Sequence, residues 1–173
     1  KYYEDIMKLY KQTDVTNYDK LIKDKTFAIL NDKVLFGDEA ILSCPKDTVF
    51  DYVNLNNDST IKEWNYSVSG DFNAKECKNL EYISPDCVFG RNINVSRTNI
   101  KEFHCNVSGD FNAYGCKELA YVSPDCKFKG DVYITGAIIK EWHCDVDGDF
   151  FAIGYKELAY VSPDCKFKGD VYI

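Results

Sequence analysis

A unit of about 39 residues begins at Ile61, again at Ile100 and again at Ile139, and no other feature limits the possible folds as strongly. Residues 100–134 read IKEFHCNVSGDFNAYGCKELAYVSPDCKFKGDVYI and residues 139–173 read IKEWHCDVDGDFFAIGYKELAYVSPDCKFKGDVYI; the two differ at 6 of 35 positions. The copy from Ile61, IKEWNYSVSGDFNAKECKNLEYISPDC, is more diverged. Units this short cannot each enclose a core, so they must bury their apolar side chains against one another by stacking.

Each unit divides again. The run CKFKGDVYITG from Cys126 superposes on CDVDGDFFAIG from Cys144, giving a shared frame C-x-φ-x-G-D-φ-x-φ-x-G, where φ is apolar. Its Gly-Asp step starts at Gly70, Gly109, Gly130, Gly148 and Gly169, with Arg91 in the equivalent place of one coil, so longer and shorter coils alternate. The three additional residues of the longer coil are assigned to its Tyr-Val/Ile-Ser-Pro-Asp stretch. Within the frame apolar residues alternate, as at Cys126, Phe128, Val132 and Ile134, which is the period of a strand with one buried face. Such a coil is too short for two helices but suits a short strand, a Gly-Asp corner and an extended return. The expected fold is therefore mainly β: a parallel β-solenoid of alternating 18- and 21-residue coils over residues 46–173. About seven strand passes from Val53 onward give a rod on the order of 30 Å long at the usual strand spacing of about 4.8 Å.

Gly130–Trp142, GDVYITGAIIKEW, resembles the short leucine-rich repeats of bacterial and phage proteins, whose units read roughly GDLxLxGTxIKxLP. The resemblance runs from about Asp47 to Ile173, with Cys77 and Cys116 at the place that Tyr155 takes in the last copy. It implies a stacked repeat architecture and hardly any particular activity. A leucine-rich-repeat cross-section and a flatter β-helix are both compatible with the pattern.

Residues 1–45 do not repeat. Tyr2, Ile6, Leu9 and Tyr10 fall at helical spacing, Tyr18, Leu21 and Ile22 form a second apolar face, and Asn17 can cap that segment. A solenoid end exposes a strand edge and an open core, so this stretch is expected to be a small helical or irregular cap. The opening Lys1-Tyr2-Tyr3-Glu4 lacks an initiator Met and an apolar signal segment, which reads as a fragment. The sequence stops at Ile173 inside a strand frame, consistent with truncation or with further coils, and it leaves end-to-end self-association open.

The chemistry is sparser than the architecture. Cys87, Cys105, Cys126, Cys144 and Cys165 recur in one column, but zinc sites favour close cysteine pairs, which this chain lacks, and in-register neighbours seldom meet disulfide geometry. They read as small core residues, which favours a reducing, cytoplasmic compartment and leaves a surface or secreted location open. His104 and His143 precede Cys105 and Cys144, yet adjacent strand residues face opposite ways and cannot form a nucleophile–base pair. Asp71, Asp110, Asp131, Asp149 and Asp170 line one corner and are expected to cap turn N–H groups; one carboxylate per coil is too few for calcium. The Lys-Glu pairs, such as Lys101-Glu102 and Lys140-Glu141, read as a solvated ridge. No hydrolase, metalloprotease, phosphate-loop or dinucleotide signature occurs.

A net charge of −7, from 21 Lys and Arg against 28 Asp and Glu, argues against nucleic acid, and no segment is apolar enough to insert in a membrane. What varies between copies is the outward strand face, where Tyr114, Tyr133, Phe151, Ile153 and Tyr172 form an aromatic and apolar strip. The expected role is a non-enzymatic scaffold, without cofactor, catalytic residue or metal ligand, that binds a protein partner through this strip. A structural, self-assembling component of a phage or bacterial surface assembly is the alternative, and carbohydrate binding is a weaker one because it requires paired carboxylates near the aromatics.

Overall fold

The computed structural model describes residues 24–154 and 156–173. From Val49 to Ile173 the chain winds as a parallel β-solenoid of about six turns, each crossing three walls. The first wall is a continuous parallel ladder of seven strands: Tyr52–Asn54, Phe72–Asn73, Ile93–Asn94, Phe111–Asn112, Val132–Tyr133, Phe150–Phe151 and Val171–Tyr172. The second wall is thinner: Phe50 pairs with Val68, and single parallel bridges carry the register through Phe89, Val107, Phe128, Val146 and Phe167. The third wall is paired two coils at a time, Glu63–Trp64 with Tyr82–Ile83, Glu102–Phe103 with Tyr121–Val122, and Glu141–Trp142 with Tyr160–Val161.

The difference between the two coil lengths falls between walls. Phe128 stands six positions after Val122, whereas Val107 stands only four after Phe103. Those two additional residues lie in a Ser-Pro-Asp-Cys turn, in which the Cys126 N–H donates to the Ser123 carbonyl at 3.0 Å, with Pro124 at the turn position its ring favours. The third additional residue lies in the bend before the third wall, not in the Ser-Pro-Asp stretch.

The two-coil period has a packing cause. A coil that carries an aromatic on its third wall, such as Phe103, then carries Val107 on the second and Phe111 on the first; the next carries Val122, Phe128 and Val132. Large and small side chains thus alternate along every wall, and their phases keep the interior of each coil filled to a similar degree. The aromatics touch in sequence through the core: Trp64–Phe72 at 4.9 Å between ring centroids, Phe103–Phe111 at 4.4 Å, Phe111–Phe128 at 5.2 Å, Trp142–Phe150 at 4.8 Å and Phe150–Phe167 at 5.3 Å. Both tryptophans are fully buried, and each indole N–H donates to a backbone carbonyl two residues on, of Tyr66 at 2.7 Å and Cys144 at 2.9 Å.

The Gly-Asp corner joins the second wall to the first. A side chain at Gly130 would run into the backbone of Gly109 and the Asp110 carboxylate one coil below, and Gly148 stands in the same relation to Gly130 and Asp131. In the coil that carries Arg91 in the glycine's place, the close approach moves one residue earlier, to Gly90 against Ser69.

The expected helices around Tyr2–Leu9 and Tyr18–Ile22 lie outside the described residues. Between them and the first coil, the described part of the N-terminal segment holds two short strands and one helical turn. Phe27–Leu30 and Lys33–Phe36 form an antiparallel hairpin whose turn residues, Asn31 and Asp32, have φ values of 50° and 63°, the left-handed conformation of tight hairpin turns. The first of these strands pairs antiparallel with Tyr52–Asn54 and so covers the open end of the parallel ladder, leaving Lys33–Phe36 as the edge strand of the sheet. A single helical turn, Asp38–Leu42, follows, and the Asp38 carboxylate accepts from the Ser59 hydroxyl at 2.7 Å and the Thr60 N–H at 2.6 Å, fastening the cap to the first coil.

Replacing Gly148 by Ala should lower unfolding stability by about 2 kcal/mol, because the added carbon meets fixed backbone, while Lys129→Ala on the outside should change it by less than about 0.5 kcal/mol. Urea denaturation of the two variants checks the difference.

Candidate functional site

The outer surface of the first wall divides into two halves. Asn73, Asn94 and Asn112 point outward from three of the first four strands, while Asn54, in the same register, is buried and donates to the Lys25 carbonyl at 2.8 Å; Tyr133, Phe151 and Tyr172 point outward from the last three. The amides are occupied locally. The Asn73 amide donates to the Asn54 side-chain oxygen at 2.8 Å, and the oxygens of Asn73, Asn94 and Asn112 each accept a backbone N–H two residues later.

Where the asparagines stop, three rings stack. Tyr133 and Phe151 lie 4.7 Å apart with an interplanar angle of 0°, and Phe151 and Tyr172 lie 4.8 Å apart at 5°. The spacing equals that of the strands beneath, so the parallel ladder itself imposes the stack. The strip is half-buried at Tyr133 and Phe151 and 41% exposed at Tyr172.

The corner carboxylates flank this stack. Asp110 Oδ1 accepts the Asp131 N–H, Asp131 Oδ1 the Asp149 N–H and Asp149 Oδ1 the Asp170 N–H, each at 2.8 Å. The chain extends downward through Asn92, whose side-chain oxygen accepts the Asp110 N–H at 2.8 Å, to Asp71, which accepts the Asn92 N–H at 3.1 Å. The capping role expected from sequence is present at Asp71, Asp110, Asp131 and Asp149, but each of these side chains caps the coil above rather than its own turn. The remaining oxygens face the rings: the Tyr133 and Tyr172 hydroxyls donate to Oδ2 of Asp131 and Asp170 at 3.2 and 3.3 Å. Burial and the Asp131 carboxylate push the Tyr133 hydroxyl above its ordinary pKa, and for Tyr172 the Asp170 carboxylate is the larger cause.

The structure does not gather all five sequence candidates into one cluster. Tyr133, Phe151 and Tyr172 share a column. Tyr114 and Ile153 stand two residues further along their strands, in a neighbouring column where Thr135 separates them. Tyr114, 48% exposed, faces the Arg97 guanidinium at 5.8 Å from its ring centroid, and Arg97 in turn meets Glu76 at 3.0 Å. Ile153 is an exposed flank of the stack.

The cysteine column points inward. All eight cysteines are free thiols, and those of the column donate to carbonyls of the preceding coil: Cys105 to Ser84 at 3.2 Å, Cys144 to Ser123 at 3.1 Å, and Cys87, Cys126 and Cys165 at 3.7 Å to Trp64, Phe103 and Trp142. Burial pushes Cys87, Cys105 and Cys126 up to about 12 and raises Cys144 as well. His104 and His143 point outward, as their strand position requires, but each rests against a tyrosine of the next coil, Tyr121 at 5.5 Å and Tyr160 at 5.7 Å. The tyrosines of this third wall were missed in the sequence. Their signal was available: Tyr82, Tyr121 and Tyr160 recur once in every double coil, but they sit beside the Ser-Pro-Asp turn, where the backbone direction is hard to assign from sequence. No helix among the described residues is long and apolar enough to cross a membrane. No known protein family, curated protein or solved structure matches this chain.

Because the buried thiols stay protonated in the folded chain, the unfolded chain alone loses those protons as pH passes 9, the thiol's ordinary value. Stability should therefore fall from about pH 9 toward 12, read as a lower urea midpoint at pH 10.5 than at pH 8. At pH 8, a thiol reagent should label at most the partly exposed Cys44 and Cys165 until denaturant is added.

Proposed function

We propose that this chain is a non-enzymatic repeat scaffold whose first wall binds a protein partner through the Tyr133–Phe151–Tyr172 stack. The observation that carries this reading is the stack itself: three parallel rings, held by the ladder beneath them, form a rigid aromatic surface that loses little conformational entropy when covered. The adjoining column of Asp131, Asp149 and Asp170 gives the strip a negative border on a chain of net charge −7, so the complementary partner is a segment that pairs apolar or aromatic residues with Lys or Arg. Two copies apposed on this face would bring their aspartate columns together, which disfavours self-association here. The resemblance of Gly130–Trp142 to short bacterial and phage leucine-rich repeats supports the scaffold role, since such repeats keep an inner frame constant while the outer residues change.

Peptides selected from a random displayed library on the intact chain should be enriched in basic and aromatic residues. Tyr133→Asp with Phe151→Asp should reduce their capture about a hundredfold, as expected for loss of central anchors. Replacing Asp131, Asp149 and Asp170 by Asn tests the charge alone. Asn92 already serves as a ladder acceptor at 2.8 Å, so the fold is retained while binding weakens. Enrichment that survives both sets of substitutions overturns the proposal.

A further inference from the structure

The third wall carries a second aromatic column, distinct from the stack on the first. Tyr82, Tyr121 and Tyr160 lie exposed and in line, each directly across the ladder from a glutamate: Glu63, Glu102 and Glu141. In the last two copies a histidine completes an identical module. His104 packs on Tyr121 at an interplanar angle of 48° and His143 on Tyr160 at 46°, while the imidazole Nε2 of each meets the carboxylate two residues before it, Glu102 and Glu141. The glutamate thus orients the ring that supports the tyrosine. Between the two modules runs a groove of about 780 Å³, lined by Tyr121, Pro124, Ile138, Lys140, His143 and Glu157. These residues come from three successive coils, so the groove follows the solenoid axis.

We propose that this groove is a docking site for a proline-rich peptide in the polyproline II conformation, lying along the axis. The first reason is period. The modules repeat every second coil, about 9.6 Å at a strand spacing of about 4.8 Å. Polyproline II, with three residues per turn and a rise of about 3.1 Å, repeats at about 9.3 Å. The groove takes Tyr121 from one module and His143 from the next, so in a peptide that runs on past it prolines spaced Pro-x-x-Pro fall in step with successive tyrosines of the column. The second reason is shape. Tyr121, Pro124 and Ile138 give the groove an apolar lining beside the His143 ring, the kind of surface on which proline rings pack in aromatic-lined grooves. The third is polarity. A polyproline II chain keeps its carbonyls unpaired, and the groove rim offers donors to them in the Tyr121 hydroxyl and the Lys140 ammonium, while Glu157 favours a basic residue flanking the prolines.

The test is fluorescence anisotropy of the whole chain with a labelled Arg-flanked peptide carrying two Pro-x-x-Pro repeats, against a scrambled peptide of the same composition. The ordered peptide should bind saturably and the scrambled one at least about tenfold more weakly; Tyr121→Ala should cost about tenfold in affinity. The side chains concerned are exposed, and His143→Ala serves as the second variant if Tyr121→Ala lowers the melting temperature. Tyr133→Asp with Phe151→Asp on the first wall should leave this binding unchanged, which separates the two sites. Equal binding of ordered and scrambled peptides, or binding indifferent to both third-wall variants, overturns the proposal. So does displacement of the peptide by cellohexaose, which would assign the groove to an extended glycan.

Discussion

At the corners from Asn92 to Asp170 each coil passes a backbone N–H to a side-chain oxygen of the coil below, and the stack is indexed by that contact. The links from Asp71 through Asn92, Asp110, Asp131 and Asp149 to the N–H of Asp170 run unbroken across six coils, beside glycines whose missing side chains let the backbones close. Without the glycine the coils could not approach to strand spacing; without the acceptor a row of corner N–H groups would go unpaired. Two coil lengths are tolerated because their difference is absorbed away from this corner, in the Ser-Pro-Asp-Cys turn and the bend before the third wall.

Once the corners fix the rise, the interior has to fill a channel of constant width. It does so by alternating aromatic and aliphatic residues out of phase on the three walls, which is why the true period is two coils and why the tryptophans and phenylalanines touch in a continuous series. The thiols complete this interior. Held protonated and bonded to carbonyls, they behave as compact, weakly polar core residues. Outward residues carry none of this duty. An amide column can therefore give way to an aromatic one between Asn112 and Tyr133 with no change in the parallel pairing beneath it.

Much of this was legible in the linear chain. The repeat, the alternation within C-x-φ-x-G-D-φ-x-φ, the inward cysteines and the capping aspartates follow from local rules of period and turn chemistry, which neighbouring coils reinforce. The hairpin at Phe27–Phe36 was passed over, although Asn31-Asp32 between two short apolar runs is a turn signal, because such short strands give too little periodicity to stand out. Two members of the proposed strip, Tyr114 and Ile153, share its face but not its column, since Thr135 intervenes. Strand position predicts which way a side chain points; it does not say which neighbours stand beside it.

The amino-acid order by itself determined that this polypeptide coils, which residues face inward and where each coil turns, because these depend on alternation and on glycine and aspartate acting within a few residues. Only the tertiary structure decided that Tyr133, Phe151 and Tyr172 form one parallel stack, that Asp71, Asp110, Asp131 and Asp149 serve the coil above, and that His143 meets Tyr160 across the third wall. Those contacts join residues a whole coil apart, and their geometry exists only after the register between coils has been set.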